Sequence, residues 1–194
     1  MLKNMSEPGV YATVPAPEAP DPCQPMTERL HKNVILLGMP GSGKSTLGKL
    51  LAEKLGWHLV DTDLLMEATH DRPLQDIFDL LGYEGFCVEE ETTLLQLDGE
   101  RQIISTGGSA VYSESAMSHL GSLGLRIFLN LPLEDVLSRV NNFEKRGIVC
   151  RPGQDLAALF KERHPLYLRH ADQVIETVGM SIEKQVHQLQ QLLN

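Results

Sequence analysis

The sequence predicts an α/β fold, a parallel five-stranded sheet with helices on both faces. Three observations predict it. Five short apolar runs are spaced along the chain like buried strands. Stripes of helical period follow several of them. Strand and helix alternate, which favours parallel crossovers with helices packed on both sides of the sheet.

The elements follow in order. Asn33–Leu37 is the first apolar run, and the glycine-rich turn Gly38–Gly43 comes next. Leu47, Leu50, Leu51 and Leu55 then fall on one helical stripe, which Gly56 ends. His58–Asp61, Gln102–Thr106 and Leu125–Leu129 read as the second, third and fourth strands. Pro132 opens a helix with Leu133, Val136, Leu137 and Val140 on one face. Arg163 and Pro165 are expected at the end of a helical segment. Gln173–Thr177 reads as the fifth strand, before a last helix carrying Ile182, Val186, Leu189 and Leu193. The stretch 141–153 is polar, glycine-bearing and aperiodic, and is expected to be a mobile lid. Residues 1–31 are expected to be a disordered leader, because six of the eleven prolines fall within the first 25 positions and few large apolar groups accompany them. The folded domain is placed at 32–194.

Bulk properties exclude several classes. The formal net charge is −9 and no Lys/Arg run is long enough for a basic stripe, so nucleic acid is not an expected partner. No stretch approaches the roughly 18 apolar residues of a membrane helix, and the N-terminus lacks a secretory apolar core. Cys23, Cys87 and Cys150 form no CxxC pair and fit free thiols in a reducing compartment. A cytoplasmic monomer is the expectation.

The most specific local signal is the run GMPGSGKS from Gly38 to Ser45, which satisfies G-x-x-x-x-G-K-[ST] with a strand before and an amphipathic helix after. Gly41, Ser42, Gly43 and Thr46 belong to the backbone curl that points N–H groups at one anion. The following helix N-terminus adds partial positive charge. Lys44 is placed to reach the β- and γ-phosphates of ATP, and the Ser45 hydroxyl to ligate Mg²⁺. No N-K-x-D motif is present, so guanine selection is not indicated.

Further landmarks accompany the cradle: Asp61-Thr62-Asp63 after the second strand, Phe86 and Glu90 in G-x-x-x-F-x-x-x-E, and Ser105-Thr106-Gly107-Gly108 after the third. Arg151-Pro152 and Arg163-His164-Pro165-Leu166-Tyr167 complete the set. In this combination the chain from about Asn33 to its C-terminus resembles the shikimate kinases, within the nucleoside monophosphate kinase-like P-loop fold, as a divergent member. The resemblance implies an ATP- and Mg²⁺-dependent phosphotransferase acting on a hydroxyl of shikimate or a similar small hydroxy acid. It implies that Asp61 helps to hold Mg²⁺ and that Asp63 orients the acceptor hydroxyl or takes its proton. It implies that Gly107 and Gly108 approach the acceptor, that Arg163 faces its acid group, and that Arg151 in the lid touches both acceptor and phosphate. Arg146, upstream in the lid, takes the adenine side.

Two positions depart from the family pattern. Cys87 stands where the family's carboxylate-gripping arginine is expected, although the glutamate that supports this arginine remains as Glu90. Ser109 stands in place of a third glycine. A thiol cannot grip a carboxylate bidentately. A gluconate kinase-like enzyme of another polyol or acid, and a catalytically silent nucleotide-binding module, therefore stay open as alternatives.

Overall fold

The computed structural model describes residues 32–140 and 148–193. The expected leader 1–31, with Cys23, and Arg146 of the lid lie outside these residues. Along the chain the elements are β1 (Asn33–Leu37), α1 (Lys44–Leu55), β2 (His58–Asp61), α2 (Thr62–His70) and α3 (Leu74–Leu95). They continue with β3 (Gln102–Ser105), a short 3-10 turn (Ala110–Tyr112), α4 (Glu114–Leu123) and β4 (Leu125–Asn130). Then come α5 (Leu133–Arg139), α6 (Leu156–His170), β5 (Gln173–Glu176) and α7 (Ile182–Leu193).

The five strands form one sheet in the order β2-β3-β1-β4-β5, and every pairing is parallel. Strand β1 is central and buried along its whole length. Its side chains divide between the two faces, as a period of two requires. Val34 and Leu36 join Leu47 and Leu51 of α1 and Val186 and Leu189 of α7. Ile35 and Leu37 join Met117 and Leu120 of α4 and Leu159 and Tyr167 of α6. Burial stabilises by about 1.5–3 kcal/mol for each large apolar side chain. Asn33 ties the start of β1 to its surroundings, donating to the Gly99 and Leu123 carbonyls and accepting from the Gln102 N–H.

Strand ends differ from expectation by one residue. Thr106 leaves β3, but its N–H and its hydroxyl both still bond to the Leu36 carbonyl. Thr177 does the same with the Asn130 carbonyl beyond β5. A larger correction concerns Arg163. It lies in the middle of α6, because the helix runs through Pro165 to His170. Proline removes one N–H there without ending the helix, since buried neighbours on both sides of it, Arg163 and Tyr167, hold the segment in place.

A third, smaller apolar group of Met66, Ile77, Phe86 and Val149 lies under α2 and α3. Helix α3 breaks at Gly82, whose φ of 67° lies outside the helical region. The parallel order places the C-terminal ends of β1, β2 and β3 side by side, where ligands bind in open α/β sheets.

Candidate active site

The turn after β1 supplies one wall of a cavity of about 290 Å³. Gly41, Gly43, Lys44, Ser45 and Thr46 line it from this side. Gly43 is the N-cap of α1 with φ 95°, a left-handed conformation that L side chains rarely adopt, and it lets the chain turn directly into the helix. Lys44 is folded back over the turn, its Nζ donating to the carbonyls of Gly38 (2.8 Å) and Met39 (3.1 Å). Burial lowers its pKa to about 8, against the opposing charges of Asp63 and Asp61. It therefore remains largely cationic at neutral pH. Ser42 is buried beside the turn but is not on the cavity wall.

Asp61 ends β2 and caps α2, with Oδ1 accepting from the N–H groups of Asp63 and Leu64. Its other oxygen, Oδ2, accepts from the Ser45 hydroxyl at 2.7 Å. The motif serine and the strand-end aspartate are thus adjacent, and Ser105 Oγ stands 3.4 Å from Ser45 Oγ. Asp63, two residues on, lines the cavity itself. Burial and the charge of Asp61 raise its pKa to about 6, opposed by Lys44.

The loop after β3 forms the opposite wall with Thr106, Gly107, Gly108 and Ser109. The Gly107 N–H donates to Thr62 Oγ1 at 3.0 Å. A Cβ at Gly107 would overlap Glu90 Oε1 and stand 2.8 Å from Asp63 Oδ1, so only glycine lets both carboxylates close over this point. Arg163 and Tyr167 share one face of α6, one turn apart. Tyr167 donates to the Gly108 carbonyl at 2.7 Å and stacks on Phe128, with ring centroids 5.0 Å apart. Arg163 is 1% exposed, donates from Nε to the Tyr112 hydroxyl (3.1 Å) and from Nη2 to the Val149 carbonyl, and still lines the cavity. The R-x-P-L-Y element therefore braces the glycine loop with one side chain and brings a buried cation to the cavity with the other.

Not every expected residue reaches this cavity. Arg151 is more than half exposed, paired with Glu162 at 2.7 Å and lying over the Tyr83 ring at 5.0 Å. It lines a separate groove with Tyr83, Gln154 and Asp155. Cys87 lines a smaller neighbouring cavity, with Glu90, Ser109 and Tyr112. Val140, Ile148 and Val149, on either side of residues 141–147, add an apolar rim. Tyr112, Thr62 and Tyr167 act as braces to which the sequence assigned no role; Thr62 and Tyr167 lay inside recognised motifs, and Tyr112 lay outside every one. Among the described residues no group of three or more His, Cys, Asp or Glu is placed to hold a metal, and no helix is long and apolar enough to cross a membrane.

Comparison with known proteins gives this geometry a family. The chain is 33% identical over 165 residues to the shikimate kinase of Aliivibrio salmonicida, an alignment that covers 84% of this chain and 96% of that protein. It is 35% identical over 168 residues to the shikimate kinase of Francisella tularensis subsp. novicida, covering 84% and 94%. The structure of a shikimate kinase from Acinetobacter baumannii in complex with shikimate superimposes with a TM-score of 0.77 at 30% identity, covering 85% of this chain and 94% of that one. A family model for shikimate kinase matches residues 40–194, from the phosphate cradle to the C-terminus. The chain accordingly belongs to the shikimate kinase family, and is a kinase of that kind.

Proposed function

We propose that this kinase uses ATP with Mg²⁺ and transfers the γ-phosphoryl group to a hydroxyl of shikimate or a similarly small hydroxy acid. The observation that carries this reading is one cavity with a phosphate cradle on one wall and, facing it, the largely buried Asp63 and the buried Arg163. The volume suits an acceptor of few heavy atoms. The relative solved with shikimate bound supports the choice of acceptor.

The residues present fit the nucleotide and the metal. Ser45 and Asp61 offer two hard oxygens side by side, a small protein share suited to an ion that keeps water and phosphate as its other ligands. Bound there, Mg²⁺ would supply charge neutralisation for the phosphates. Lys44 holds a cation against the transferred group, and the backbone of the cradle orients it. Asp63 orients the attacking hydroxyl and accepts its proton, and Arg163 fixes the acid end of the acceptor. Arg151 is held by Glu162 and over the Tyr83 ring, and the lid role expected of it requires that it leave both.

The test is ADP release by the full chain with a panel of acceptors that includes shikimate, gluconate and simple polyols, with the product identified by mass spectrometry. Phosphorylated shikimate is the expected product. Preference for gluconate or another polyol would replace the acceptor assignment, and ADP release with no acceptor-dependent product would remove it.

The acceptor wall has its own prediction. Gly107→Ala is expected to lower kcat/KM for the acceptor by about 100-fold, because misplacing reacting groups by about 1 Å costs that much. The cause is the overlap with Glu90 and Asp63, since Gly107 is not among the glycines with positive φ. Nucleotide affinity, measured by titration, is expected to stay within a few-fold of wild type.

A further inference from the structure

A guanidinium grips a carboxylate well only when its fork is held at one angle. The Arg163 fork is held on its Nε side: Nε donates to the Tyr112 hydroxyl at 3.1 Å, and Nη2 donates to the Val149 carbonyl. Nη1 lies toward the cavity wall, where a Cβ on Gly108 would stand 2.9 Å from it. The guanidinium carbon is 5.1 Å from the centre of the Tyr112 ring. With the Val149 bond alone the guanidinium could rock about Nη2, and the Tyr112 bond removes that freedom. Tyr112 stands behind Arg163 and beside the smaller cavity, so it reaches the acceptor only through that arginine.

Tyr112 is itself fixed from several sides. It ends the 3-10 turn that grows out of the glycine loop, and its N–H donates to the Ser109 carbonyl at 3.0 Å. Ala110 and Val111 of the same turn are buried in the core. Its ring meets the Tyr83 ring edge-on, with centroids 6.4 Å apart. Burial raises the pKa of its phenol, Arg163 opposes the rise, and a hydrogen bond to Glu162 adds to it. The phenol therefore stays protonated at neutral pH, and one oxygen can accept from Arg163 while its proton goes to Glu162.

We infer that Tyr112 is a positioning residue for the acceptor: its hydroxyl aims the Arg163 fork at the acid group, and so sets the preference for an acidic acceptor over a neutral one of the same shape. A carboxylate in this place would hold Arg163 more tightly but would compete with the acceptor for it. A neutral phenol orients the cation without neutralising it. This inference rests on the proposed acceptor class, with Arg163 at its acid end, and adds to it the residue that makes Arg163 selective.

The experiment compares wild type, Tyr112→Phe and Tyr83→Phe as full chains, on shikimate and on its uncharged primary amide. Tyr112→Phe keeps the ring and its contact with Tyr83 and loses only the hydroxyl. It is expected to raise the KM for shikimate about 10-fold, the low end of the worth of a hydrogen bond to a charged group, because the Val149 bond remains. The kcat is expected to hold, since an acid group remote from the reacting hydroxyl contributes mainly uniform binding. On the amide the same variant is expected to lose much less, because no charge meets the fork. Tyr83→Phe removes a phenol from the same cluster without touching Arg163, and is expected to keep the wild-type ratio of kcat/KM between the two acceptors. An equal loss on both acceptors, no loss on either, or the same change of ratio in Tyr83→Phe would overturn the inference, whatever the Tm, and leave the acceptor assignment standing. Wild type that turns over neither compound would overturn the acceptor assignment, and this inference with it.

Discussion

Lys44→Ala is expected to abolish turnover while leaving the fold intact. The ammonium is held over the phosphate cradle by the carbonyls of Gly38 and Met39. Phosphoryl transfer is mostly positioning and charge stabilisation, and a cation on the transferring group is worth about 10³- to 10⁵-fold. A loss of at least about 10³-fold in kcat/KM is therefore expected in the coupled assay. Stability should move the other way or not at all. Burial holds the folded-state pKa of Lys44 at about 8, below its ordinary value of 10.5. A base with a lowered folded pKa costs stability throughout the range below that pKa, and the cost vanishes as pH rises past the unfolded value. Alanine removes the cost at neutral pH, so the Tm should be equal to or above that of wild type. Retained turnover in the alanine variant would remove Lys44 from the reaction, and a large drop in Tm would make it a structural residue.

The sheet was legible because its signals are local. Five apolar runs, Gly56 as a C-cap and Pro132 before α5 each act within a few residues of themselves. The phosphate cradle was legible for the same reason: its chemistry lies in one continuous run with the strand and helix that confirm it. The strand order β2-β3-β1-β4-β5 was not legible, since it depends on pairing between segments far apart in sequence. Helices α2 and α4 carried no assignment. In α3 the helical period is interrupted at Gly82, and its buried set of Ile77, Phe86, Glu90, Thr93 and Leu94 mixes polar with apolar residues. The acceptor wall shows the limit most clearly. Arg163 looked like a residue at a helix end because proline two places on is a breaker signal, yet packing on either side carried the helix through it. Glu90 was visible only as the partner of an arginine this chain lacks. Its burial arises from α3, the β3 loop and α6 meeting, which no single segment encodes. Arg151 matched a motif, but an ion pair with Glu162 decides where its guanidinium rests.

Asp63→Asn is expected to lower kcat by about 10²- to 10⁴-fold, the usual worth of a positioned proton acceptor. The amide keeps the shape of the side chain and one acceptor oxygen, so binding of the acceptor should change far less than kcat. The pH profile tests the role more sharply. Burial and the charge of Asp61 raise the Asp63 pKa to about 6 in the absence of bound metal. A divalent cation beside Asp61 would pull it downward. Wild-type kcat should therefore rise with pH along a limb at or below about pH 6, and this limb should be missing in Asp63→Asn. Thermal melts without divalent ions supply a second reading. An acid whose folded pKa is raised from 3.8 to about 6 costs nothing below the lower value and its full penalty above the higher one. Asp63→Asn should then melt above wild type at pH 7, and the gap should close as pH falls toward 4. Asp61→Asn is the control, because its oxygen faces Ser45 and not the acceptor. It should shift the Mg²⁺ concentration needed for half-maximal rate, whereas Asp63→Asn should leave that concentration in place. Identical Mg²⁺ titrations for the two variants, or an Asp63→Asn enzyme that keeps both the acid limb and most of kcat, would show that Asp63 does not handle the acceptor's proton.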